Sequence, residues 1–213
     1  MGREFLPIFE EWAEDYDRTV SGHDVEYEEV FRGYEQILES VAAASAGHVL
    51  EFGAGTGNLT VKLLDKGRSV TAIEPSMPMR EIAERKIQQG NVVFHEGDFL
   101  EFPAVESVDS IVSTYAFHHL TDQEKAVAVK RYGNLLIKGG KIVFADTMYE
   151  TGEAHQRAIS DAEISGFTQL AKDLRTEYYT TIPYLQSLFD DNGFVVSFKP
   201  CNRFVWMLEA IKL

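Results

Sequence analysis

The amino-acid sequence predicts an α/β protein with a doubly wound sheet of seven strands, mainly parallel, that ends in an antiparallel hairpin and follows an N-terminal helical cap. Three observations support this fold class. Short apolar runs alternate with helical segments between residues 47 and 146, which is typical of βαβ units. A glycine-rich turn follows the first of these runs. The last two apolar runs are joined by four residues, too few for a parallel crossover, so they form an antiparallel pair.

The length of 213 residues is that of one domain with a self-sufficient hydrophobic core. We therefore predict a single domain over residues 1–213. It divides into a helical cap at 1–46, an alternating core at 47–146, a mixed helical segment at 147–180, and a C-terminal helix with a hairpin at 181–213.

The charge of the chain limits its partners. It has 20 Lys and Arg against 34 Asp and Glu, a formal net charge of −14. This charge opposes the counterion-release attraction that dominates nucleic-acid binding, and it disfavours docking on anionic membranes. We therefore expect neither nucleic acid nor a membrane as a partner.

Cys201 is the only cysteine of the chain. A single cysteine excludes an internal disulfide and a cysteine zinc site, and it fits a reducing compartment. No apolar run approaches the roughly 18 residues of a membrane span, and the first residues lack the apolar region of a signal peptide. The sequence thus predicts a cytoplasmic protein.

The first 46 residues have a helical pattern. Apolar side chains recur there at steps of three and four residues, which places them on one face of a helix. These side chains are Tyr27, Val30, Phe31, Tyr34, Leu38 and Val41. Gly47 ends the pattern.

Strands and helices alternate through the core. Strands are expected at His48–Phe52, Ser69–Glu74, Val92–Glu96, Val108–Thr114 and Lys141–Asp146. Helices are expected at Asn58–Lys66, at Pro75–Gln88, and from Thr121 to about Ile137. Ser76 is the expected N-cap of the second helix, Thr121 and Glu124 form a capping box for the third, and Gly139-Gly140 form a turn before the fifth strand.

The C-terminal third departs from this alternation. Residues 150–179 carry a mixed helical pattern. A helix follows at Ile182–Asn192, with Pro183 in its first turn and Gly193 after its end. The strands Phe194–Lys199 and Phe204–Ile211 then form the hairpin.

The segment Glu51–Asn58 (EFGAGTGN) joins the first strand to the first helix of the core. Glycine lets the backbone approach a ligand closely, because it has no Cβ. The dinucleotide fingerprint G-x-G-x-x-G requires a glycine where Asn58 stands. The pattern E-x-G-x-G-x-G therefore favours a nucleoside ligand without a pyrophosphate over NAD, although it is also compatible with a tight turn that binds nothing.

Acidic residues follow the next two strands. Glu74 ends the second strand, where doubly wound sheets use an acid to accept hydrogen bonds from ribose hydroxyls. Asp98 follows the third strand and is a candidate acceptor for an adenine amino group, and the backbone amide of Phe99 is a candidate partner for an adenine ring nitrogen. Each acid is also compatible with an ordinary strand end or turn. Because the carboxyl ends of parallel strands meet at one sheet edge, we expect these groups to share a crevice.

Together, the segments EFGAGTGNLT, IEPSMPM, GDF and LIKGGKIVFAD resemble the class I S-adenosylmethionine-dependent methyltransferases, which have a Rossmann-like fold. The resemblance is strong over about residues 47–146, and the terminal hairpin matches the family's extra strand. FEEWAEDYD and the His118-His119 pair resemble a bacterial subgroup of small methyltransferases, the YrrT-like type.

The resemblance implies S-adenosylmethionine as cofactor and assigns roles to several residues. Gly53 and Gly55 would line the methionine and ribose part of the cofactor, with Glu51 beneath the loop, and Glu74 would hold the ribose. Met79 would pack against adenine, and Asp98 and Phe99 would bind its polar edge. Met79 is equally compatible with an ordinary helix core. Tyr16, with Trp12 and Asp17, would cover the methionine end, or equally pack against the sheet. Residues 147–180 would form a substrate-side insertion, whose aromatic and polar residues are Tyr149, His155, Arg175, Tyr178 and Tyr179.

His118 is the candidate catalytic residue, because it follows the fourth strand beside the expected methyl position. It is equally compatible with a histidine packed in a strand-to-helix connection. Adjacent side chains usually point apart, so His118 and His119 have poor metal geometry and we predict no metal. The predicted activity is methyl transfer to a small-molecule acceptor. Two alternatives remain at this point: a protein that binds S-adenosylmethionine without turnover, and a nicotinamide-dependent oxidoreductase, which the position of Asn58 disfavours.

Overall fold

A computed structural model describes residues 13–14, 16–105 and 107–213. Its centre is a sheet with the strand order β3-β2-β1-β4-β5-β8-β7. The strands are β1 (His48–Phe52), β2 (Ser69–Ile73), β3 (Val92–His95), β4 (Val108–Thr114), β5 (Leu136–Tyr149), β6 (Thr180–Thr181), β7 (Phe194–Pro200) and β8 (Val205–Lys212).

The sheet is parallel except at β8, which runs antiparallel to both β5 and β7. The mainly parallel sheet with a C-terminal antiparallel hairpin is therefore confirmed. The two-residue strand β6, which pairs with the end of β5, is an addition to the seven predicted strands. The order of the strands reverses at β1, between β2 and β4, and such a reversal creates the crevice in which doubly wound sheets bind ligands.

Helices pack on both faces of this sheet. They are α1 (Tyr34–Ala44), α2 (Asn58–Asp65), α3 (Met77–Lys86), α4 (Asp122–Leu135), α5 (Gly152–Ile164), α6 (Thr168–Thr176) and α7 (Ile182–Asp191). Shorter helical turns occur at Tyr16–Arg18, Thr19–His23 and Phe117–His119. No helix of the described residues is both long and apolar enough to cross a membrane.

The helix starts follow their local capping signals. The Thr121 side chain accepts from the backbone of Glu124, and the Glu124 side chain accepts from the backbone of Thr121, so the predicted capping box is present. Ser76 caps α3 by accepting from the Met79 amide. Because these hydrogen bonds join residues three apart in the chain, the starts of α3 and α4 could be predicted from the sequence.

The prediction of helix over the first 46 residues is only partly confirmed. Residues 24–33 form turns, and α1 begins at Tyr34. Gly33 has a φ of 75°, a left-handed conformation that interrupts a helix. The predicted apolar stripe is nevertheless buried at Tyr27, Tyr34 and Leu38, because the turns fold the same side chains onto the core.

The Gly139-Gly140 pair lies within a strand rather than before one. Val108 pairs with Leu136 and Ser110 with Lys141, so four residues of β5 face one residue of β4. The glycines therefore form a bulge, and β5 is longer at both ends than predicted.

The core is divided between the two faces of the sheet. Because side chains alternate along a strand, Val49 belongs to one buried cluster and Leu50 and Phe52 belong to the other. Both clusters are sealed by helices, which leaves the carboxyl ends of β1, β2, β4 and β5 as the edge where polar groups gather.

Candidate functional site

The glycine loop after β1 has a backbone that requires glycine. Gly53, Gly55 and Gly57 have φ values of 65°, 55° and 83°. At Gly53 a Cβ would also lie 2.7 Å from the Cβ of Ala116, so the loop packs directly against the segment that follows β4. The same loop therefore exposes its backbone and borders the region of His118.

Glu74 is buried beneath this loop. Its Oε2 accepts from the Gly55 amide at 2.8 Å, and its Oε1 accepts from the Ser76 amide at 2.8 Å. Burial raises the pKa of Glu74 to about 7, although both amides and Arg80 oppose this shift. A carboxylate has about four lone-pair positions, so each oxygen retains capacity for a further donor.

Glu51 lies at the end of β1 with only 1% of its surface exposed. Its Oε2 accepts from the Thr60 hydroxyl at 2.7 Å, and its Oε1 has no hydrogen-bond partner among the described residues. Burial, with a further contribution from Glu74, raises the pKa of Glu51 to about 8. A buried polar atom without a partner is costly, and a bound ligand is one way to satisfy it.

Asp98 and Phe99 are both buried after β3. Asp98 Oδ1 accepts from the amides of Leu100 and Glu101, each at 2.8 Å, so the carboxylate shapes a turn as well as bordering the edge of the sheet. The Phe99 ring stacks on Phe52 at 5.2 Å within the core. That packing leaves the backbone amide as the part of Phe99 suited to a ligand.

Met79 lies in the first turn of α3 and reaches the glycine loop. Its side chain is buried, and its Sδ lies 3.9 Å from the position that a Cβ on Gly55 would occupy. Met79, which is expected on the adenine side, therefore lies next to Gly55, which is expected on the ribose side.

Asp17 connects the N-terminal segment to the glycine loop. Its Oδ1 accepts from the Thr56 hydroxyl at 2.6 Å and from Asn58 Nδ2 at 2.9 Å. Its Oδ2 lies 2.9 Å from Lys86 Nζ. Burial alone would raise the pKa of Asp17, but these three donors outweigh it and the pKa is lowered. Trp12, the other predicted cover residue, lies outside the described residues.

Tyr16 borders a small cavity of about 20 Å³ beside the glycine loop. The cavity is lined by Tyr16, Tyr34, Gly53, Ala54, Gly55, Thr56, Asn58, Leu59 and Thr114. Burial raises the pKa of Tyr16 far above its usual value, so its hydroxyl stays protonated. Tyr16 therefore lines the same cavity as Gly53 and Gly55, and its role as a cover for the cofactor stays a prediction.

His118 is held by Asp146, a buried residue near the carboxyl end of β5. Its Nδ1 lies 2.5 Å from Asp146 Oδ1, and its backbone amide donates to Asp146 Oδ2 at 3.0 Å. The Thr147 amide also donates to Asp146 Oδ1, at 2.7 Å. Burial alone would lower the pKa of His118, but the Asp146 and Glu177 carboxylates outweigh it and the pKa is raised.

The expectation that His118 and His119 point apart was wrong. Their ring centroids are 4.1 Å apart, because the short 3-10 turn Phe117–His119 places both imidazoles on one side. His118 Nε2 lies 3.5 Å from Glu177 Oε2, and His119 Nδ1 lies 4.0 Å from Glu177 Oε1. Burial, together with His118 and Lys125, lowers the pKa of His119 well below its usual value.

Some of the aromatic and polar residues predicted in the substrate-side insertion lie around His118. Tyr179 stacks on His118 at 5.1 Å and donates its hydroxyl to Glu177. Tyr149 stacks on His155 at 4.6 Å, and both rings contact Tyr179. Arg175 instead pairs with Glu163 on the surface. Tyr178 contributes its backbone, which accepts from Lys125 and donates to His118 O.

Sequence reasoning missed several functional candidates. Asp146 ends the strand predicted at Lys141–Asp146, as Glu74 ends the one predicted at Ser69–Glu74, so its predicted strand-end position was a usable signal. Glu177 and Lys86 gave no such signal, because they lie in segments without a motif. Tyr115 has a φ of 53°, a strained conformation for a tyrosine, and its buried hydroxyl has no partner among the described residues.

Comparison with known proteins agrees with this geometry. Residues 49–140 match the family described as "Methyltransferase domain". An "Uncharacterized methyltransferase" from Anoxybacillus flavithermus is 57% identical over 213 residues, which is all of both chains. Another, from Geobacillus sp., is 56% identical over all of both chains.

A solved structure has the same fold at low sequence identity. It is the magnesium protoporphyrin IX methyltransferase from Synechocystis PCC 6803 with bound S-adenosylhomocysteine (SAH), which superposes with a TM-score of 0.77. The identity is 18%, and the match covers all of both chains.

Proposed function

The chain belongs to the class I S-adenosylmethionine-dependent methyltransferases, and on this premise we propose that it transfers the methyl group of S-adenosylmethionine to a small-molecule acceptor. The observation that carries the proposal is the buried carboxylate of Glu74, bonded to the amide of Gly55 at the point where the strand order reverses. A nucleoside ligand is recognised at such a crevice by an acid that accepts from its ribose.

The cofactor is proposed to lie along the carboxyl ends of β1, β2 and β4. Glu74 accepts from the ribose hydroxyls with the lone pairs that the Gly55 and Ser76 amides leave open. Glu51 offers its unpartnered Oε1 to a polar group at the methionine end. Gly53 and Gly55 let the backbone approach the cofactor without a Cβ in the way.

The adenine is proposed to lie between α3 and the turn after β3. Met79 packs on the ring, because its side chain already lies above Gly55. Asp98 accepts from the adenine amino group, and the Phe99 amide donates to a ring nitrogen. Tyr16 covers the methionine end from the opposite side, as its place on the cavity wall suggests.

The acceptor is proposed to lie beside His118. With Nδ1 bonded to Asp146, the imidazole is fixed in orientation and its Nε2 faces the acceptor side, where it can receive a proton. In the transfer, a lone pair of the acceptor attacks the methyl carbon, the carbon–sulfur bond breaks, and its electron pair stays on sulfur. Alignment of the acceptor with that bond supplies much of the catalysis.

The proposed class of acceptor rests on the net charge of the chain and on the side chains around His118. A net charge of −14 disfavours a nucleic-acid acceptor, and the rings of Tyr149, Tyr179 and His155 near His118 suit a small, partly apolar molecule. A cytoplasmic location is part of the proposal, supported by the single free cysteine, Cys201.

Two measurements test the proposal. Calorimetry should show that the chain binds both S-adenosylmethionine and SAH, whereas NAD should not bind; failure of both nucleoside ligands at high micromolar concentration would refute it. An assay of SAH release against a panel of small metabolites should then identify an acceptor. Binding without release for any acceptor would favour a binding protein without turnover.

The Asp98→Asn variant tests the adenine assignment. Asparagine retains an oxygen for the Leu100 and Glu101 amides, so the turn is kept. It loses the negative charge that favours the adenine amino group, and SAH affinity should fall by roughly 1 kcal/mol. An unchanged affinity with an unchanged melting temperature would remove Asp98 from the site.

A further inference from the structure

The side chains of His118, His119 and Glu177 form a compact group of metal-binding donors at the acceptor end of the site. One donor atom from each, an imidazole nitrogen from both histidines and a carboxylate oxygen from Glu177, lies within 4.8 Å of the other two. Two imidazoles and one carboxylate are a ligand set used by catalytic zinc sites. This arrangement departs from the sequence-based expectation of poor metal geometry, because the 3-10 turn brings the two adjacent rings together.

The spacing of these atoms suits an ion better than direct hydrogen bonds. His118 Nε2 and Glu177 Oε2 are 3.5 Å apart, and His119 Nδ1 and Glu177 Oε1 are 4.0 Å apart. Both distances exceed the usual range of an N–H···O hydrogen bond. Two ligands of a tetrahedral zinc ion are separated by about 3.4 Å, given metal–ligand bonds of roughly 2.1 Å. Small side-chain movements would therefore bring the three donors to ligand distance.

The surroundings of the donors resemble those of a metal site. A metal-binding histidine usually donates its other ring nitrogen to a carboxylate, which fixes its orientation. His118 has this partner in Asp146, whose oxygens are in turn held by the backbone amides of His118 and Thr147. Glu177 is likewise oriented by the Tyr179 hydroxyl.

The local charge favours a cation. Asp146 is 2% exposed and the side chain of Glu177 is 18% exposed, so two carboxylates lie largely out of water. Lys125 is a buried cation in the same region; its Nζ is bonded to the carbonyl oxygens of Leu120 and Tyr178, and its charge also acts on Asp146. Buried carboxylates are costly unless positive charge compensates them.

We propose that His118, His119 and Glu177 bind one divalent transition-metal ion, with Zn²⁺ as the best fit, next to the methyl acceptor. Metal binding at these residues does not depend on the proposed methyl transfer; only the position of the acceptor does. Three protein ligands leave a fourth position for an acceptor atom, as in catalytic zinc sites. In the metal-bound protein His118 is then a ligand rather than the base, and the acceptor is activated by the ion.

The test uses the full chain, treated with a chelator, dialysed, and titrated with Zn²⁺ alone in a calorimeter. We expect one ion per chain, bound at micromolar concentration or more tightly. Glu177→Gln and His119→Gln should each weaken binding by at least the roughly 10–100-fold that loss of an outer-shell partner costs, because each variant removes a ligand itself. His155→Gln is the matched control, because His155 lies in the same aromatic cluster but bonds to the carbonyl of Leu174.

A second measurement does not depend on how the variants fold. Co²⁺ added to the chelator-treated wild-type chain should give the intense visible absorption of a tetrahedral site, and Zn²⁺ should displace it. The absence of one-to-one binding in the wild-type chain, or equal affinity in Glu177→Gln and His155→Gln proteins with native circular dichroism, would overturn the proposal. SAH affinity of the metal-free protein is measured in parallel, because its persistence separates failure of the metal site from failure of the proposed function.

Discussion

Asp17 Oδ1 accepts a hydrogen bond from the Thr56 hydroxyl at 2.6 Å, which joins the helical turn at Tyr16–Arg18 to the glycine loop. The cavity beside this turn has a volume of about 20 Å³, far below the roughly 300–1,000 Å³ typical of ligand sites. The turn must therefore move for a nucleoside cofactor to enter, and the bonds of Asp17 oppose that movement.

The Asp17→Ala variant should accordingly release the cofactor faster. Loss of the bonds to Thr56, Asn58 and Lys86 destabilises the state in which the turn is bonded to the glycine loop by about 1 kcal/mol. The SAH dissociation rate measured by stopped flow should therefore rise about fivefold. The control is Glu35→Ala, which breaks the exposed Lys62–Glu35 ion pair away from the loop. Equal dissociation rates for wild type and Asp17→Ala would show that the turn does not control exchange.

Gly55→Ala should separate binding from folding. Gly55 has a φ of 55° and a new Cβ would meet only Met79 Sδ, at 3.9 Å. Gly67 has a φ of 73° with nothing within 4 Å, so Gly67→Ala has the same backbone strain outside the site. Both variants should lose about 1–2 kcal/mol of unfolding free energy in urea titrations.

Only Gly55→Ala should also lose cofactor affinity, by tenfold or more on the scale of about 1.4 kcal/mol per decade. The reason is that its methyl group would enter the space proposed for the cofactor. Calorimetry with SAH checks this, and a Gly67→Ala protein that binds just as weakly would contradict it.

Glu74 should make cofactor affinity depend on pH. Its pKa in the free protein is about 7, and ribose hydroxyls donate best to the ionised carboxylate. Binding therefore favours the deprotonated form, so affinity rises with pH. SAH should bind about tenfold more weakly at pH 6 than at pH 8.

Glu74→Gln supplies the control for this dependence. Glutamine has no titratable group, so its pH profile should be flatter and its affinity at pH 8 lower by roughly 1–3 kcal/mol. A variant profile that retains the full wild-type slope would assign the titration to another group.

Glu51 should make folding stability depend on pH in the opposite direction from an ordinary ion-paired acid. Its pKa is about 8 in the folded chain against 4.5 for an unperturbed group. Between these values the unfolded chain loses the proton and the folded chain keeps it, so the free energy of unfolding falls as pH rises through this range.

Glu51→Gln should remove that contribution. The difference in unfolding free energy between variant and wild type should shift in favour of the variant by about 2–4 kcal/mol from pH 5 to pH 8. Urea titrations at several pH values measure it. A difference that is constant with pH would show that Glu51 is ionised in the folded chain.

The predictable parts of the fold and site have local causes. The capping box at Thr121, the strand His48–Phe52 and the glycine loop all depend on neighbours within a few residues. Glu74 and Asp98 were expected to share a crevice with the glycine loop because parallel strands bring their carboxyl ends to one edge, whereas Tyr16 and Met79 were assigned through the family resemblance. The position of the N-terminal turns was not predictable, since Gly33 interrupts an otherwise regular helical pattern.

The sequence by itself determined the α/β class, the alternation of strands and helices, and the residues of the glycine loop, because periodicity and capping act over short chain distances. Only the tertiary structure decided which distant side chains meet. His118 and Asp146 are 28 residues apart, and Asp17 and Thr56 are 39 apart. These contacts exist because parallel strands bring their carboxyl ends to one edge, where burial strengthens the interactions of charged and polar groups.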